Sequence, residues 1–170
     1  MKVLIISLPR CGSTSLMNKI SEERNLLSYM EPFSMETENQ PPYDFWNDKT
    51  NVIVKTLIGQ PQLNDLIKFY TEFSKNFDEV ILLSRKDLIA VSESYAYLKW
   101  NAENGFKMDD DYEWEETPNL AKTHQLITKL NDDINQLAKI LNLKVTYYEE
   151  LFNSNSSKRL RKNKRVKTLI

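Results

Sequence analysis

Cysteine, histidine and glycine are all scarce in this 170-residue chain, which has one Cys, one His and three Gly. The single thiol, Cys11, can form no internal disulfide, and with one imidazole it cannot assemble a tetrahedral zinc site of the usual Cys/His kind. Neither sign of charge dominates: 23 Lys and Arg stand against 24 Asp and Glu, so nothing global draws the protein to nucleic acid or to an anionic membrane. There is no apolar run long enough to cross a bilayer and no basic leader with a small-residue cleavage site. The expectation is a soluble, cytoplasmic protein with neither nucleic-acid nor membrane partners. At 41% hydrophobic residues, the chain can build one substantial core but not two, so a single domain over residues 1–170 is expected.

What is present alternates. Residues 2–7 (KVLIIS), 51–56 (NVIVKT) and 79–84 (EVILLS) are short continuous apolar runs, which read as buried strands of a parallel sheet. A weaker fourth strand is predicted over 143–148 (LKVTYY), rich in β-branched and aromatic residues. Between them, Leu63, Leu66, Ile67, Tyr70 and Phe73 recur at helical spacing, as do Ile127, Leu130, Ile134, Leu137 and Leu141. Two further helices are predicted, from Ser13 to about Glu23 and from Asp87 to about Trp100. This order predicts a three-layer α/β/α domain with a mostly parallel sheet of four to five strands. Ligands of such folds gather beyond the carboxyl ends of the strands. Residues 32–50, with Pro32, Pro41 and Pro42, read as a long loop; 105–118 form an acidic stretch, and 158–170 a flexible basic tail.

One of the three glycines falls in Ser7-Leu8-Pro9-Arg10-Cys11-Gly12-Ser13-Thr14-Ser15-Leu16, directly after the first apolar run. A strand that turns through glycine into a helix aims backbone N–H groups and the positive end of the helix dipole at one point, which attracts an anion. Ser13, Thr14 and Ser15 add hydroxyls, and Arg10 adds a guanidinium fork suited to phosphate or sulfate. The plainer reading is Ser13 as an ordinary helix N-cap with Arg10 solvated. An ATP-binding P-loop needs a second glycine and a lysine before its hydroxyls, which this stretch lacks. A cysteine-phosphatase loop needs an arginine six places after its cysteine, where Met17 stands.

Pro9 to Leu16 resembles the 5′-phosphosulfate loop of sulfotransferases that use 3′-phosphoadenosine 5′-phosphosulfate (PAPS). Val80 to Leu88, continuing through Ser92-Glu93-Ser94-Tyr95, is similar to that family's 3′-phosphate motif, in which an arginine ends a strand and a serine follows in the helix. The resemblance runs in order from Lys2 to about Leu151, implies P-loop-NTPase-like topology, and points to the short bacterial and phage-like branch. It implies that Arg10, Cys11, Gly12, Ser13, Thr14 and Ser15 hold the 5′ end of PAPS. It further implies that Arg85 holds the 3′-phosphate, with Ser94 preferred over Ser92 as its companion. Val54-Lys55-Thr56 resembles the strand that brings a lysine to the reacting centre, and Tyr148-Glu149-Glu150-Leu151 the element whose tyrosine approaches adenine. Arg161-Lys162-Asn163 is similar to a late segment clasping the 3′-phosphate, with Asn in place of Gly.

The activity implied by the resemblance is transfer of a sulfuryl group from PAPS to a hydroxyl or amine of a small-molecule or glycan-like acceptor, without a metal. Arg10 and Lys55 would offset the developing charge. The usual histidine two places after the lysine is replaced by Leu57, and His124, the only histidine, is expected at a surface position. Glu31 is therefore the candidate base, with Pro32 biasing it toward an extended backbone. Phe33, Tyr43, Phe45, Trp46 and Trp100 are candidates for lining an acceptor pocket or packing in the core. Other readings are a P-loop-like nucleotide phosphotransferase, or a noncatalytic anion-binding interaction domain. The oligomeric state is not legible.

Overall fold

The computed structural model describes residues 1–34, 46, 48–60, 65–103 and 119–152. In chain order these form β1 (Lys2–Ser7), α1 (Ser13–Arg24), β2 (Leu27–Met30), β3 (Val52–Leu57), α2 (Leu66–Ser74), β4 (Glu79–Ser84), α3 (Leu88–Glu103), α4 (Leu120–Leu141), β5 (Val145–Tyr147) and the single turn α5 (Tyr148–Leu151). The strands make one parallel five-stranded sheet in the order β2-β3-β1-β4-β5. This is the three-layer α/β/α architecture that the alternation predicts, in the P-loop-like strand order that the resemblance implies.

β1 is central because it is apolar on both faces: Val3, Leu4, Ile5 and Ile6 are fully buried between layers. The path moves one way from β1 to β2 and the other way from β3 to β4 and β5. Right-handed crossovers therefore put α1 on one face and the later helices on the other, where α2 and α3 both pack against α4. α4 buries the stripe Ile127, Leu130, Ile134, Leu137 and Ala138. Its start is capped by the Asn119 side chain, which accepts from Lys122 N at 3.0 Å, and its end by Asn142 in the left-handed region. Asp65 caps α2 in the same manner. Among the described residues no helix is long and apolar enough to cross a membrane.

Two elements differ from expectation. β2 is an unpredicted fifth strand: Leu-Ser-Tyr-Met is too short and too exposed to show an apolar run, and β3 supplies the pairing that holds it. The last strand is shorter than 143–148, because Tyr148 opens α5 instead of continuing β5. Phe33 and Trp46 belong to the core, in an edge-to-face aromatic cluster with Tyr29, Phe69 and Phe73. The acidic stretch at 105–118, the basic tail with Arg161, Lys162 and Asn163, and Pro41, Pro42, Tyr43 and Phe45 lie outside the described residues.

Candidate functional site

Chain direction reverses about β1, so the carboxyl ends of β3, β1 and β4 open on one crevice. At the end of β1 the backbone turns through two left-handed residues, Arg10 (φ 60°) and Gly12 (φ 78°). Gly12 occupies the N-cap of α1 with no side-chain cap, and Ser13 is the first helical residue, buried. Ser13 is therefore not a cap, and the N-cap glycine offers no side chain to the first-turn N–H groups of this twelve-residue helix. Thr14 is half-buried beside them and Ser15 exposed. The Cys11 thiol turns inward, donating to Leu8 O at 2.8 Å, and burial pushes its pKa up to about 11. Cys11 thus has only its backbone to offer a ligand.

Arg10 reaches across the crevice, where its Nε donates to Ser94 Oγ at 2.9 Å. Burial lowers the Arg10 pKa from its ordinary value. Ser94 therefore stands with the β1 loop, on the half-buried side of α3. Ser92, two residues earlier, is buried, donates to Leu88 O and meets Nδ1 of the exposed His124 at 3.1 Å. Ser94, expected beside Arg85, has its Oγ on Arg10 of the β1 loop instead.

The end of β3 contributes Lys55, paired in register with Ile5 of β1 and Met30 of β2. Its side chain is 4% exposed, ion-paired with Glu31 and 3.3 Å from Thr14 Oγ1. β2 is what brings Glu31 here: its N–H extends the ladder to Lys55 O at 2.7 Å. Glu31 is not extended, as the following proline suggests, but left-handed (φ 50°). Its carbonyl accepts from Ser34 N, so the chain turns sharply where it leaves the sheet, and that turn overrides the local bias. Gln60, which sequence reasoning missed, donates to Glu31 Oε2 at 2.6 Å while its Oε1 accepts from Leu57 N at 3.0 Å. Only one amide orientation satisfies both bonds. Both Glu31 oxygens thus have a donor.

At the end of β4, Arg85 is 5% exposed. Its Nε donates to Glu149 Oε1 at 3.3 Å, and its guanidinium lies 4.9 Å from the centre of the Tyr148 ring. The same ring covers Gly12, where an added Cβ would lie 2.5 Å from Tyr148 Cδ2 and nearer still to Cε2. Tyr148 therefore bridges the glycine turn and Arg85, so the two basic strand ends share one wall. Glu149 and Gln60 carried no signal in the sequence, since each acts on a residue brought to it by the sheet.

No family model matches the chain, and no curated protein is significantly similar to it. A crystal structure of the YorR protein from Bacillus subtilis, in complex with phosphorylated GDP, is similar over 94% of this chain and 92% of that one, at 10% identity and a TM-score of 0.49. At that level the likeness bears on neither ligand nor reaction.

Proposed function

We propose that the protein is a PAPS-dependent sulfotransferase acting on a hydroxyl or amine acceptor. The observation that carries this reading is Tyr148, whose ring touches the Gly12 turn on one side and the Arg85 guanidinium on the other. A nucleotide whose ribose carries one anion at C5′ and another at C3′, with a flat base to the side, matches two cationic strand ends beside an aromatic ring. Arg10 and Arg85 are each held at Nε alone, and among the described residues neither makes another hydrogen bond, so both keep their terminal N–H pairs for a ligand.

In this reading the first turn of α1, with Thr14, Arg10 and Lys55, holds the 5′-phosphosulfate, and Arg85 the 3′-phosphate. Lys55, nearly sealed from solvent, exerts a stronger field than a surface lysine on charge building at the leaving oxygen. Glu31 takes the acceptor proton after releasing Lys55 or Gln60, and Lys55 then turns to the transferring group. The acceptor hydroxyl attacks sulfur in line with the departing phosphate oxygen, so the chain's part is placement and charge. No step is assigned to a metal.

Thermal-shift measurements with PAP, the desulfated product, against ATP plus magnesium test the reading. Saturating PAP at about 100 times its Kd should add about 2.7 kcal/mol of stability. Stabilisation by ATP plus magnesium alone would favour a phosphotransferase, and by neither ligand a noncatalytic domain. Arg85→Ala should weaken PAP by about 1.5 to 3 kcal/mol and adenosine 5′-phosphosulfate less; equal losses would remove Arg85 from the 3′-phosphate.

A further inference from the structure

The β4–α3 turn carries two consecutive cations, and α5 answers both with consecutive acids. Glu149 Oε1 accepts from Arg85 Nε and its Oε2 from Lys86 N at 3.1 Å, while Glu150 pairs with Lys86 Nζ at 2.9 Å. The two acids are not equivalent. Glu150 and Lys86 are an exposed surface pair. Glu149 serves a guanidinium that is 5% exposed, and its second oxygen is tied to backbone, which cannot swing away.

We propose that Glu149 is the positioning residue for Arg85, setting the plane of its fork toward a phosphate monoester; this rests on the sulfotransferase reading above. A carboxylate standing in for an absent anion would occupy the terminal nitrogens, where bidentate pairing is strongest. Glu149 takes Nε instead. Among the described residues Nη1 and Nη2 make no hydrogen bond, and neither is sealed from solvent. With Nε bonded to Glu149 and the guanidinium laid against Tyr148, rotation about the last bonds of the arginine is restricted, and the terminal edge keeps its donors. The carboxylate also supplies counter-charge to a buried cation before ligand arrives, which keeps Arg85 from costing the free protein its desolvation. Ser94 does for Arg10 what Glu149 does for Arg85, holding Nε alone. That parallel marks the pattern as a property of the crevice, not of one turn.

The test compares wild type, Glu149→Ala and Glu149→Gln by calorimetric titration with PAP and with AMP, which lacks the 3′-phosphate. Glu149→Ala should weaken PAP about ten-fold and leave AMP unchanged, and Glu149→Gln, which keeps one of the two acceptors but not the charge, should recover part of the loss. The Arg85 Nε–H resonance in a 1H–15N spectrum of the free protein should move further in Glu149→Ala than in Glu149→Gln. Tighter PAP binding by Glu149→Ala would show that the carboxylate competes with the ligand, and equal losses for PAP and AMP would show a merely structural role; either overturns the assignment. Unchanged PAP affinity removes Glu149 alone. Absence of PAP binding by wild type removes the sulfotransferase reading and this inference with it.

Discussion

Replacing Gly12 by alanine isolates the contact that joins the two halves of the crevice. Two separable costs arise. The backbone stands at φ 78°, where a β-carbon is penalised by about 1 to 2 kcal/mol. The new methyl also enters the Tyr148 ring, within 2.5 Å of Cδ2, and overpacking of this kind costs about 1 to 3 kcal/mol more. The ring cannot retreat freely, because Arg85 lies over it and Phe152 stacks against it at 4.7 Å between centroids. Gly12→Ala should thus destabilise by about 2 to 5 kcal/mol in wild type but only about 1 to 2 kcal/mol in a Tyr148→Ala background. Urea unfolding of the four proteins gives the coupling energy directly, with an expected value of about 1 to 3 kcal/mol. A coupling under about 0.5 kcal/mol would mean that the ring and the glycine turn are energetically independent. The shared wall, on which the functional reading stands, would then be wrong.

Two other outcomes are expected at the same site. Glu31→Gln should leave PAP affinity intact while lowering turnover of PAPS with an accepted acceptor by about 100-fold; unchanged turnover removes Glu31 as the base. For Cys11 the linkage has a definite sign. Burial raises its pKa from 9.0 to about 11, so between those values the unfolded chain sheds a proton that the folded chain keeps. Wild type should therefore lose stability relative to Cys11→Ala as pH rises from 9.0 to about 11, by up to about 1.4 kcal/mol per unit. Parallel pH profiles for the two proteins would show that the thiol is not confined to the core.

The parts of the fold that were legible in the sequence are those whose signal is local. β1, β3 and β4 are each buried by neighbours on both sides, which demands continuous apolar runs, and α4 shows its stripe because one face alone meets the core. β2 failed to show for the opposite reason. It is an edge strand whose four residues are mostly exposed, and pairing with β3, not burial, fixes its conformation. Missing β2 also hid the turn of Glu31, since only the ladder bond to Lys55 O reveals that the chain is still in the sheet there.

The site divides along the same line. Arg10 could be nominated from its charge and its place after the first strand, and Lys55 and Arg85 from the motifs that carry the family resemblance. The pairings could not: Glu31 is nominated only as a base and Ser94 beside Arg85, whereas Glu31, Ser94 and Glu149 hold Lys55, Arg10 and Arg85 from 24, 84 and 64 residues away. A cation pulled into the interior requires a partner wherever the fold can supply one, and the requirement fixes the chemistry of that partner without fixing its place in the chain. The basic residues therefore nominate a site from the sequence, while the acidic and hydroxyl groups that hold them become visible only once the parallel sheet has gathered its carboxyl ends.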